Sequence, residues 1–197
     1  MDLYQIFITH NRLWSAREII IFLVLLFLIT GVLLIQLKRG KLKKIQFFAG
    51  VALYIFLSIV FASTVFTRTP GKRMYELLPF WSWRRVIFEH DFMLLEENLL
   101  NILLFFPIGG LLKLCSKKIK WKHAAAIGLG ISAVIELSQL ILCRGWFEWD
   151  DMIHNMLGCV CGYLIVKRLY GKRLIFRYDR KNPRLLFSSR STLTVHI

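Results

Sequence analysis

The sequence predicts an all-α, polytopic membrane helix bundle of about five transmembrane spans, and three observations carry that prediction. The 197 residues are 56% hydrophobic with a mean hydropathy of +0.55, too apolar for an ordinary water-soluble domain. The apolar residues come in blocks rather than evenly spread, and five windows are long enough to cross a hydrocarbon core of about 30 Å. The basic residues, which give a formal net charge of +15, cluster between those blocks. Sixteen phenylalanines and long aliphatic stretches exclude disorder. Four cysteines, mostly inside apolar runs, are too few for a disulfide scaffold and read as small packing residues.

The first two windows, residues 19–37 and 45–66, are almost purely apolar. The third, 98–115, opens with Asn98 and Asn101 on one helix face and carries Pro107, Gly109 and Gly110 at mid-membrane. Proline removes a backbone donor and crowds the preceding turn, so this span is expected to kink at Pro107. The fourth window is 124–142 and the fifth 152–170. No internal repeat or low-complexity linker divides the chain, and no small-residue cleavage site marks a secretory signal.

Lysine and arginine set the expected orientation. Five basic residues lie in the seven-residue loop between the first two spans, four more (Lys117, Lys118, Lys120, Lys122) lie between spans three and four, and nine run from Lys167 to Arg190 at the end of span five and in the tail. The opposite side carries eight, Arg68 and Arg144 among them. By the positive-inside rule this is a multi-pass protein of the cell membrane, with the N-terminus outside and the C-terminus cytoplasmic. All six tryptophans fall near predicted span ends, where an amphipathic ring sits among headgroups. The high charge is therefore assigned to anionic lipid at the cytoplasmic face, at about 1 kcal/mol per charge, and not to nucleic acid.

The informative residues are those that are costly to insert. Glu136 lies roughly 9 Å inside the outer end of span four, where an ionised carboxylate costs a few kcal/mol. Ser132, Glu136, Gln139 and Cys143 are spaced 4, 3 and 4 and form one stripe. Span five repeats the spacing with Asp151, Asn155, Gly158 and Gly162; the two glycines permit close helix approach. Asp150 and Asp151 also suit the positive end of a helix dipole, with Glu148 just before them. Because the spans alternate in direction, these groups all fall in the outer third of the bilayer, level with Thr64, Thr67 and Arg68 at the end of span two. Arg68 is a natural bidentate anchor for a phosphate or carboxylate. His154, at i+4 from Asp150 and i+3 from Asp151, raises a divalent metal, but no established ligand spacing is present and no metal or cofactor is assigned.

Three ordered motifs carry a family resemblance: LLNILLFFPIGGLL (residues 99–112), IELSQLIL (135–142) and FEWDDMIHNMLG (147–158). Together they resemble the signatures of VanZ-like membrane proteins, with a leucine-proline-phenylalanine element matched at residues 78–80. The resemblance divides the chain into an N-terminal segment with two transmembrane helices (1–63), a VanZ-like membrane domain (64–166) and a basic cytoplasmic tail (167–197). It carries Asn101, Pro107, Gly109, Glu136, Gln139, Asp151, Asn155 and Gly158 over to this sequence. The departures are Glu148 where the family has an aspartate, and Cys159 where it has a second closing glycine. The resemblance implies the membrane of a Gram-positive bacterium and an association with resistance to teicoplanin, a glycopeptide with a lipid tail.

Two main functions are expected. In the first, the outer polar site binds an amphiphilic molecule or a lipid-linked wall precursor through Arg68, Asn98, Asn101, Gln139, Asp150 and Asn155, with Pro107, Gly109, Gly158 and Gly162 giving shape. In the second, a membrane enzyme acts on a lipid-linked envelope substrate, with Glu136 as general acid or base and Asp151 as its catalytic partner. A small lipid translocator is a third reading, disfavoured by the absence of a repeat.

Overall fold

Each apolar block begins where local chemistry starts a helix. In the computed structural model, which describes residues 14–181 and side chains to residue 170, the first helix α1 (Ala16–Lys38) opens on a reciprocal cap. Glu18 N–H donates to Ser15 Oγ at 3.3 Å, and Ser15 N–H donates to the Glu18 carboxylate at 2.9 Å. None of its side chains is buried, so α1 presents its apolar surface outward. It rests on α2 (Lys44–Phe61), where the Tyr54 hydroxyl donates to the Phe22 carbonyl at 3.0 Å and the two rings stack at 5.5 Å.

A π-helical turn, Ala62–Phe66, extends α2. Its cause is legible in the side chains. Ser63 and Thr64 donate to the Val60 carbonyl at 3.0 and 2.7 Å, and Thr67 donates to the Ala62 carbonyl at 2.9 Å. Hydroxyls that occupy helix carbonyls compete with the regular ladder and widen it. The turn delivers Arg68 to the loop-rich end of the bundle.

There follow β1 (Met74–Glu76), α3 (Trp81–Phe88), α4 (Phe92–Cys115), α5 (Trp121–Leu142), β2 (Trp146–Glu148) and α6 (Trp149–Lys181). The two short strands pair in parallel, Met74 opposite Trp146 and Glu76 opposite Glu148. Gly71 N–H donates to the Cys143 carbonyl at 2.7 Å and ties the same two loops together. Neither the strands nor α3 was expected in an all-α bundle whose polar loops show no alternating apolar pattern.

Among the described residues four helices are long and apolar enough to cross a membrane: α1, α2 with its π turn, α4 and α5. The long α6 packs against α4 and α5 but carries Asp150, Asp151, His154 and Asn155, so it is more polar than the other four. The expectation of about five spans is thus met approximately. The kink expected at Pro107 is not confirmed, because α4 runs as one helix from Phe92 to Cys115 with the proline inside it. That helix also starts six residues before the predicted window, since Glu96 and Glu97 hide its first turns from an apolarity criterion.

The core lies between α2, α4, α5 and α6, with Val60, Phe105, Ile108, Ala124 and Ile135 buried in it. Glycines set the α4–α6 distance. A Cβ added at Gly109 would overlap the Cys159 carbonyl, one at Gly158 the Ile102 carbonyl, and one at Gly162 the Phe106 carbonyl. Cys159, which stands where the family has glycine, is fully buried and meets Gly128 of α5 instead. A Cβ at Gly128 would overlap the Cys159 side chain, so α5 and α6 approach closely here. The C-terminal part of the basic tail, residues 182–197, lies outside the described residues.

Candidate functional site

The first turn of α6 organises the loop-rich end. Asp150, 1% exposed, accepts from Phe80 N–H, from Ser82 N–H at 3.0 Å and from the Ser82 hydroxyl. Phe80 begins α3 in the left-handed conformation (φ 62°) and supplies no capping side chain of its own. The carboxylate of Asp150 therefore caps α3 from another element, satisfying helix-start donors with a favourably placed negative charge. Asn98 donates to the same Ser82 hydroxyl at 3.2 Å.

The other polar residues pair across helices. Asn101 of α4 donates to Asp151 of α6 at 2.6 Å. Glu136 of α5, 1% exposed, accepts from the Glu148 N–H at 3.0 Å and so fixes the end of β2. Gln139 donates to the Thr64 carbonyl at 3.0 Å, and Asn155 to Ser132 at 2.8 Å, leaving the Asn155 carbonyl buried without a partner among the described residues. Trp83 donates to His154 Nε2 at 2.7 Å, which assigns the unprotonated nitrogen of a buried ring; its Nδ1 is also without a partner among the described residues.

Between these elements opens a cleft of about 460 Å³. Arg68, Asn98, Asn101 and Asp151 line it, as do Glu97, Glu148, Trp81 and Trp146. Glu136, Gln139, Asp150 and Asn155 do not. They stand behind it, hydrogen-bonded to the frame. The Arg68 guanidinium acts electrostatically on Glu97, Glu136 and Asp151, and it lies close against Gly145. Between described residues the ion pairs are those of Arg85 with Glu89 and Asp91, outside the cleft, so Arg68 is held near acids without an ion pair to any of them. Burial pushes the Glu148 carboxyl above the usual range, a shift opposed by the bond it accepts from Trp81 Nε1 at 3.2 Å.

Sequence reasoning assembled the right end of the bundle but missed Glu97, Trp81, Ser82 and Trp146 as lining. The tryptophans had been accounted for as interfacial anchors, and Glu97 lay just outside the predicted span. Among the described residues no group of three His, Cys, Asp or Glu side chains is arranged to hold a metal ion. What the cleft offers is a guanidinium fork, two amides, three carboxyls and two indole rings, which suits recognition of a polar headgroup.

A family model described as VanZ/LLP1 matches residues 46–171, well over half of the chain. Comparison with curated proteins gave no match, and comparison with solved structures gave none.

Proposed function

This chain belongs to the VanZ/LLP1 family, and we propose that it binds an amphiphilic or lipid-linked cell-envelope molecule at the outer membrane face, contributing to resistance against teicoplanin-type lipoglycopeptides. The observation that carries the proposal is the polar cleft between α3, α4 and the start of α6, with Arg68 free of any ion pair among the described residues. An apolar groove of about 440 Å³, lined by Phe22, Leu25, Tyr54, Leu57 and Phe61, also includes Thr67, the residue next to Arg68. Consecutive residues thus line a polar cleft and an apolar groove, which supports an amphiphilic ligand. The cleft lies on the side with fewer basic residues, which under the positive-inside rule is the outer one, with the C-terminus cytoplasmic and anionic lipid gathered at the inner face.

The test is a deletion strain restored with wild type, Arg68→Gln or Asp151→Asn and compared for teicoplanin and vancomycin susceptibility. Only wild type is expected to restore a teicoplanin-selective effect. If all three behave alike, the cleft has no part in resistance.

The enzyme reading, with Glu136 as general acid or base and Asp151 beside it, has narrower support. Asp151 lines the cleft, but Glu136 does not, and its carboxylate is engaged by the Glu148 N–H. A changed envelope lipid profile in the deletion strain, restored by wild type and not by Glu136→Gln, would favour turnover over binding.

A further inference from the structure

Resting on the binding reading above, we infer that the molecule taken by the cleft is zwitterionic, carrying a primary ammonium together with one anionic group, as an aminophospholipid headgroup does. The argument starts from charge. One cation, Arg68, faces three carboxyls, Glu97, Glu148 and Asp151, on the walls of a single cleft, and none of the four is in an ion pair between described residues. A purely anionic headgroup would satisfy Arg68 and be repelled by the acids. A headgroup that also carries an ammonium satisfies both sets.

Aromatic rings make the same point independently. Trp81 and Trp146 both line the cleft, and Trp81 is oriented by the hydrogen bond from its Nε1 to Glu148. The Trp81 ring already carries the Arg85 guanidinium 6.0 Å from its centroid, which shows that this indole takes a cation, and Trp146 beside the carboxylates offers a second ring whose quadrupole attracts an organic cation. A metal ion is the competing cation, but the acids are spread around the cleft, and no group of three ligating side chains is arranged to hold one among the described residues. Leu94 and Leu100 complete the lining on the side of α4, consistent with a ligand that continues into a hydrocarbon chain.

The experiment uses the full chain in detergent micelles, titrated with short-chain phosphatidylethanolamine, phosphatidylglycerol of the same chains, and O-phosphoethanolamine. Binding is read from tryptophan fluorescence. Phosphatidylethanolamine is expected to bind roughly tenfold more tightly than phosphatidylglycerol. Glu97→Gln, at an exposed position, and Glu148→Gln should each narrow that ratio, and Arg68→Gln should weaken both lipids. O-phosphoethanolamine binding as well as the lipid would support the headgroup assignment and show that the tail adds nothing. Phosphatidylglycerol binding as well as or better than phosphatidylethanolamine would overturn the inference while leaving an amphiphile site standing. A ratio unchanged in both glutamate variants would also overturn it. Binding of neither lipid would remove the inference together with the lipid-binding basis of the reading beneath it.

Discussion

Replacing Asp150 should open α3, the helix that brings Trp81 and Ser82 to the cleft wall. Its carboxylate accepts three hydrogen bonds, two from backbone N–H groups at the start of α3 and one from the Ser82 hydroxyl. Loss of a helix cap costs about 1–2 kcal/mol. Ser82 is 1% exposed, so its abandoned donors cannot recover full hydration, and a hydrogen bond to a charged group adds about 1.5–3 kcal/mol. Because Phe80 is exposed and its N–H can turn to water, the contributions do not sum in full; Asp150→Ala is expected to cost about 3 kcal/mol. Asp150→Asn keeps one acceptor oxygen and should lose about half of that. At 1.4 kcal/mol per factor of ten, the alanine variant raises the population of undocked α3 by about a hundredfold. Arg84 and Arg85 on α3 are exposed, so tryptic cleavage there reports that population directly. Cleavage within about threefold of wild type, with ligand binding nonetheless lost, would show that Asp150 belongs to the site and that the capping argument is wrong.

Gly158→Ala should be costly, about 2–3 kcal/mol or a failure to accumulate in the membrane, because its Cβ meets the Ile102 backbone; Gly130→Ala, with nothing within 4 Å, should be neutral or stabilising by up to about 1 kcal/mol. Unfolding in a denaturing detergent series distinguishes the two, and equal effects would refute the close-approach account of α4 and α6. For Glu148 the folded carboxyl titrates above its ordinary value, so its contribution is fully present below the usual carboxylate range and is lost as pH rises through the raised value. Glu148→Gln lacks that dependence, and its melting temperature should fall less than that of wild type between about pH 4 and about pH 8. An identical fall would mean that Glu148 titrates normally. Gln139→Leu should destabilise by about 1–2 kcal/mol by leaving the Thr64 carbonyl unpaired near the π turn, and a neutral result in the same denaturation series would remove that bond from the account.

Much of the bundle was legible because hydropathy and helical spacing are local properties. The cost of inserting Glu136, Gln139, Asp151 and Asn155 singles them out, and their 3- and 4-residue spacing puts them on inward faces whatever the neighbouring helices turn out to be. Glu97, Trp81 and Trp146 were less visible as lining residues. Each has an ordinary explanation on its own element, as a charge near a helix start or a ring at the interface, and its second role exists only where three elements meet.

The sequence by itself determined that this chain lives in a membrane, roughly how many helices it has, and which end of the bundle gathers the polar groups. It also pointed to the family, because three motifs occur together in the order and spacing of VanZ-like proteins. Only the tertiary structure decided how those groups divide. Asp150 finds its partners 68 and 70 residues away and serves as the cap of α3, Glu136 holds the backbone of Glu148, and Arg68, Asn101 and Asp151 are left on the cleft wall. The physical reason is that a polar side chain in a membrane must be satisfied by some partner, but which one depends on distances between elements that no local pattern encodes. The same carboxylate is framework when backbone donors reach it first and a site when they do not.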